Sequence, residues 1–235
     1  MGLGVPLALF AAVIGQVPTP AAPAVIQARL AELRATPETA PRLGAESRLL
    51  FFAAEATEET ARKAALHADG RAAAERALRL DPREPSAMLW WAAHRGSEAS
   101  LLDPLTALRI AREVEEMLLR LRALDPAYDH AAADRALGRL YQVAPRGISV
   151  GSLEKAGEHL RAAIRQDAAF PGNALFYAQY LAATKDCDGA REWANKVLAS
   201  PALVDYPLER GGWVADARRL LASLRMRCLP EEKWP

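Results

Sequence analysis

The apolar and polar positions along the chain follow the period of an α-helix. Leu137, Leu140, Tyr141 and Ala144 fall at i, i+3, i+4 and i+7, which is one stripe on a helix of 3.6 residues per turn. No run of alternating apolar and polar residues is long enough to predict a strand. The stripes end on a recurring phrase: Ala77-Leu78-Arg79-Leu80-Asp81-Pro82, then Leu121-Arg122-Ala123-Leu124-Asp125-Pro126, then Ala162-Ala163-Ile164-Arg165-Gln166-Asp167. Proline cannot continue a helix and disfavours the helical conformation of the residue before it, so each phrase predicts a helix stop and a turn. The stops lie 44 residues apart from Asp81 to Asp125 and 42 from Asp125 to Asp167, a period that signals stacked helical pairs. The pattern predicts an all-α fold, a solenoid of helical hairpins forming one domain over residues 25–235.

Composition sharpens this expectation. The chain has 235 residues, 51% hydrophobic and 25% charged, enough for a sizeable core and unlike a disordered chain. Fifty-one residues are Ala, the strongest helix former and a poor strand residue. Thirty basic residues stand against twenty-nine acidic ones, a net charge of +1, so no overall field draws the chain to nucleic acid.

Residues 1–24 read as a signal peptide or apolar leader. Gly2 to Val17 carries no charged side chain, and the apolar run from Leu7 to Ile14 is shorter than the ~20 residues of a spanning helix. Ala22-Pro23-Ala24 has the small-x-small form of a cleavage site. Export would let the two cysteines, Cys187 and Cys228, form one disulfide; without export they would be two buried thiols. No Cys lies in the leader, so the expected form is soluble and lacks an N-terminal lipid.

Leu137-Gly138 followed by Tyr141, with Ala156, Leu160 and Ala163 in the next helix, resembles the tetratricopeptide repeat. Gly138 has no side chain, so a partner helix could approach its backbone. Two segments look like lengthened turns, His94–Ser100 and Pro145–Gly151, with Ser152 placed to cap the helix after the second. Leu137-Gly138-Arg139-Leu140-Tyr141-Gln142-Val143-Ala144-Pro145, the Gly-containing loop, Leu153-Glu154-Lys155-Ala156 and Asn173-Ala174-Leu175-Phe176-Tyr177-Ala178 together resemble the T-component family of TRAP transporters. This resemblance is most specific over residues 134–200. It implies a periplasmic helical-repeat protein that associates with the transporter's solute-binding protein and can form a ring-like homo-oligomer.

Catalytic chemistry is hard to find. The four histidines, His67, His94, His130 and His159, show no metal-ligand spacing, and no nucleophile elbow, phosphate loop or dinucleotide fingerprint occurs. His130 reads as a solvated residue near a helix start, one turn before Asp134. The segment Gly147–Ser152 opens a helix and could offer N–H groups to an anion, but it lacks the lysine of a phosphate loop. No cofactor or metal is expected.

Aromatic and Arg residues beside the two turns are the candidate contacts for a partner or a small apolar or anionic ligand: Trp90, Trp91, Arg139, Tyr141, Arg146, Asn173, Tyr177 and Tyr180. Adjacent residues on a helix point about 100° apart, so one of Trp90 and Trp91 must leave the face that buries the other. That residue could line a groove opposite Tyr177 or Tyr180; alternatively all the aromatics are solenoid packing. The expected function is non-enzymatic binding as an accessory of a TRAP-type uptake system, and the alternative is a general periplasmic scaffold for envelope assembly.

Overall fold

A computed structural model of the chain describes residues 22–100 and 102–228. Among these residues ten α-helices follow one another: α1 (Ala22–Arg34), α2 (Ala40–Glu55), α3 (Thr60–Leu80), α4 (Pro85–Ala99), α5 (Pro104–Leu124), α6 (Tyr128–Val143), α7 (Leu153–Gln166), α8 (Pro171–Ala183), α9 (Cys187–Ala199) and α10 (Arg210–Arg227). A 3-10 turn, Pro201–Asp205, links α9 to α10. Residues 1–21 of the expected leader lie outside the described residues, and Ala22–Ala24, the expected cleavage triplet, form the first turn of α1.

The recurring phrase stops helices by a mechanism visible in the turns. Asp81, Asp125 and Asp167 cap α3, α5 and α7 in extended conformation. Each carboxylate then accepts a backbone N–H from a following residue: Arg83, Ala127 and Ala169 respectively, at 2.8 to 3.0 Å. A short acidic side chain that replaces lost helical hydrogen bonds makes the stop stable whether or not proline follows. Helix starts are equally local: prolines open α2, α4, α5 and α8, while Thr39, Asp103, Ser152 and Asp186 accept the N–H three residues on.

The helices form two layers. Alternate helices α2, α4, α6, α8 and α10 pack side by side, and α3, α5, α7 and α9 lie outside them, each between its own partner and the next inner helix. Small residues allow the close crossings: a Cβ built on Gly138 would come within 2.4 Å of Leu160 Cγ, and one on Gly70 within 2.1 Å of His94 Nε2. The close approach expected at Gly138 is therefore met by Leu160 of α7.

His94–Ser100 is not a lengthened turn; α4 continues to Ala99. The polar character of this stretch comes from bonds between helices. His94 is fully buried, and Arg95 pairs with Glu98 and with Glu113 of α5 while Glu98 also receives Arg71 of α3. Pro145–Gly151 does form a loop, closed by a bridge between Arg146 and Gly151.

His67 and His94, scattered in sequence, meet in the core with their Nδ1 atoms 3.1 Å apart. The carbonyl of Ser47 lies 3.0 Å from His94 Nε2 and can only accept, so that nitrogen carries the hydrogen and His94 Nδ1 accepts from His67. Burial, then the neighbouring His67, pushes the His94 pKa down to about 3.

Two expectations follow. Gly138→Ala should lower stability by about 1–3 kcal/mol, read from the urea midpoint, because Leu160 must move. His94 is neutral when folded but binds a proton below pH 6.5 when unfolded, so its contribution is complete above pH 6.5 and is lost as pH falls toward 3. The urea-derived stability should drop by about 2 kcal/mol between pH 8 and pH 5, and the slope should flatten in His94→Gln.

Candidate functional site

A cavity of about 120 Å³ lies against the inner helices. Arg48 of α2, Trp90 of α4, Asp129 and Arg135 of α6, Phe176 of α8 and Trp213 of α10 contribute to its wall, so every inner helix supplies a residue. Sequence spacing explains part of this: Ala132 and Ala136 on α6, and Gly172 and Phe176 on α8, recur at four-residue intervals on one helix face. The wall closes where the segment before α10 crosses the layer. Tyr206 and Glu209 line the cavity, and Leu208 is buried in the core built mainly from α1 to α6. Glu209 pairs with Arg48, joining α10's entry to α2 across 161 residues of sequence.

One side of the cavity holds an unusual turn. Asp129, His130 and Ala131 have positive φ of 44°, 58° and 61°, a left-handed conformation costing roughly 1–2 kcal/mol per residue outside glycine. Asn173, fully buried, holds it in place: Nδ2 donates to the carbonyls of His130 (3.0 Å), Ala163 (3.1 Å) and Asp167 (2.9 Å). Arg135 completes the hold, donating to the Asp129 and His130 carbonyls, to the Asp129 carboxylate and to Asn173 Oδ1. Its guanidinium also lies 4.8 Å from the Phe170 ring centre.

His130 is a linker rather than a solvated residue. Its ring stacks on Phe170 at 4.3 Å, Tyr206 donates to Nε2 at 2.7 Å, and Nδ1–H then faces the Asp167 carboxylate at 2.7 Å. Asp134 does not pair with His130; it takes Arg122 and His159.

The eight expected contact residues do not converge. Trp90 lines the cavity beneath Arg48, whose guanidinium is 6.0 Å from its ring, while Trp91 faces α3 and donates to Glu75. Phe176, one residue before the expected Tyr177, takes the opposite wall. Tyr177 instead packs against Trp193 and Tyr180, and Tyr180 lies over Gly157 of α7. Tyr141 is buried on the outer side, donating to Glu115 at 2.7 Å; burial, then that bond, pushes its pKa up. Arg139 sits 5.9 Å from the Phe176 ring, its pKa lowered to about 10 by burial, with Asp216 opposing the shift. Asn173 is the organiser of the left-handed turn, and Arg146 is exposed on its loop. Arg48, Glu209 and Trp213 escaped the sequence reading, because Arg48 lies 161 residues before Glu209 and they share a wall only in the folded chain.

Two arginines and two carboxylates are the charged side chains of the wall: Arg48, Arg135, Asp129 and Glu209. The ionised groups are already engaged with each other, and no cluster of three or more His, Cys, Asp or Glu able to hold a metal occurs among the described residues. The loop before α7 uses its own groups: Ser152 N–H donates to the Tyr141 carbonyl and its hydroxyl accepts from Lys155. Cys187 and Cys228 form a disulfide between the start of α9 and the end of α10, with Cα atoms 6.3 Å apart. No helix among the described residues is long and apolar enough to cross a membrane.

If Asn173 holds the turn, Asn173→Ala should cost about 3 kcal/mol in urea denaturation by leaving buried carbonyls unpaired. Hydrogen exchange should show the accompanying loss of protection at Ala131–Ala133.

Comparison with known proteins places this architecture. The chain resembles a solved thermophilic tetratricopeptide-repeat protein of Thermus thermophilus, TTC0263, at 21% identity and a TM-score of 0.55, over 80% of this chain and 81% of that one. That likeness is one of fold. No curated protein sequence matches. The profile of the TRAP transporter T-component family matches residues 15–209, which runs from before α1 to the residue preceding α10. This chain belongs to the TRAP transporter T-component family.

Proposed function

We propose that the protein is a non-enzymatic periplasmic accessory of a TRAP-type uptake system, which contacts the solute-binding protein and holds a small ligand in its inner cavity. The observation that carries this reading is the family match over residues 15–209, which covers most of the chain. The cavity supports a ligand role in chemical terms, since aromatic faces and ionised groups converge on a volume of about 120 Å³. An engineered apolar cavity of about 150 Å³ holds benzene, so this one suits a small molecule.

A partner surface is best sought on the outer edge around α5 and the loop before α7. Leu105 and Ile148 are 79% and 67% exposed there, among Arg109, Arg112, Glu113 and Glu116. Large apolar side chains rimmed by charges are the usual composition of a contact surface. Arg146, next to Ile148 on the loop, and the half-buried Tyr177 and Tyr180 extend the proposed contacts. Arg139 belongs with the ligand side, behind Phe176.

Capture of the tagged full chain from periplasmic extract should recover the solute-binding protein of a TRAP system. Leu105→Asp with Ile148→Asp should weaken that recovery at least tenfold while the melting temperature stays within ~2 °C of the parent, since both sites are exposed. Recovery of envelope-assembly factors alone would replace this reading with the general scaffold.

A further inference from the structure

The outer side of α10 carries a row of arginines that the fold leaves unneutralised. The chain as a whole is near neutral, yet Arg210–Arg227 holds five of its thirty basic residues and one of its twenty-nine acidic ones. That acid, Asp216, is taken by Arg219. Arg210, Arg218 and Arg225 are exposed, and their side chains have no ion pair or hydrogen bond among the described residues. Helix α3 is also rich in basic residues, but there Lys63, Arg71 and Arg76 each have a carboxylate partner. On α10 the sequence blocks such pairing: three and four residues to either side of Arg218 stand Val214, Ala215, Leu221 and Ala222. Arg210, Val214, Arg218, Leu221 and Arg225 recur every three or four residues and so share one side of the helix, while Trp213, Ala217 and Leu224 are buried. The arginines follow one another two turns apart, at about 11 Å. Both ends of the helix are fixed, by the Arg48 pair at Glu209 and by the disulfide at Cys228, so the row is presented at little ordering cost.

We propose that this side of α10 is an electrostatic docking surface for an acidic face of the solute-binding protein. The inference rests on the accessory reading and adds the place and the charge of a contact. Charge selects the occupant: three uncompensated guanidiniums along about 22 Å of helix attract a negative surface and repel a positive one. Their planar donor pairs match carboxylates at the same spacing. Val214 and Leu221, half-buried between the arginines, give the contact an apolar floor. The same two residues favour a protein over a lipid surface, because a helix that binds bilayers inserts large apolar side chains. Met226, 77% exposed, follows Arg225 and so points about 100° round the helix from it. The row is exposed to water, so each pair adds little to final affinity, and its force lies in drawing the partner in from a distance. Leu105 and Ile148 act after encounter, on how long the complex lasts.

Surface plasmon resonance on the immobilised full chain, with the purified solute-binding protein of the same uptake system as analyte, tests it. At about 50 mM NaCl the triple variant Arg210→Gln, Arg218→Gln, Arg225→Gln should associate about tenfold more slowly than the parent, with the dissociation rate within about twofold. At about 500 mM NaCl the two association rates should converge, because salt screens exposed charges. Leu105→Asp with Ile148→Asp should do the reverse and raise the dissociation rate. A triple variant whose association stays within about threefold of the parent at low salt would overturn the proposal and spare the accessory role, since the parent still binds. Absence of binding by the parent would overturn both. Phosphatidylglycerol vesicles that bind the parent more tightly than the solute-binding protein does, and release the triple variant, would assign the row to lipid and overturn the proposal as well. Should the triple variant not fold, Arg218→Glu alone decides: association about threefold slower at low salt supports the surface, and an unchanged rate overturns it.

Discussion

The distance at which paired helices cross governs the rest of this molecule. Where Gly138 faces Leu160 and Gly70 faces His94, there is no room for even one added carbon. Alanine serves the same end elsewhere: Ala74, Ala77, Ala156, Ala163, Ala190 and Ala194 are all buried on the outer helices. Helices with small contact residues approach closely, and close approach at each hairpin sets the angle to the next. Repeated over five inner helices, it brings Arg48 of α2 to the residue preceding α10. The cavity takes wall residues from all five inner helices and from the connection before α10.

The connection before α10 packs against the inner helices at Tyr206, Leu208 and Glu209. The segment from Pro201 to Glu209 crosses the layer, with Leu208 buried and Tyr206 hydrogen-bonded to His130. Stacked hairpins usually leave such a face for a partner; here Tyr206 and Glu209 of the connection before α10 help line a cavity of about 120 Å³. On the outside of the stack Leu105 and Ile148 project into solvent.

The fold was legible in the sequence because its determinants are local. Helical periodicity, the Asp that ends α3, α5 and α7, and Gly138 at a crossing all act within one hairpin. The site was only partly legible, for the opposite reason. Adjacent aromatics could be identified as a divided pair, but which member turned inward depended on the neighbouring helix: Trp90 rather than Trp91, and Phe176 rather than Tyr177. Glu209 carried no motif at all, and its importance comes from a residue 161 positions away. His94–Ser100 misled because polar residues that bond to neighbouring helices have the same composition as a loop. Asn173 was expected among the contact residues, and in the structure its amide supports a strained turn from within.

Helical stacks of this kind ordinarily fray from their ends, since a terminal hairpin has a neighbour on one side alone. The disulfide from Cys187 to Cys228 ties the last two long helices together at their far extremities, and the ion pair at Glu209 clasps the same region to α2. The carboxyl-terminal end of the stack is thereby closed to unzipping in an oxidising compartment. Peeling must start at the amino-terminal side, with α1, whose packing partner within the stack is α2.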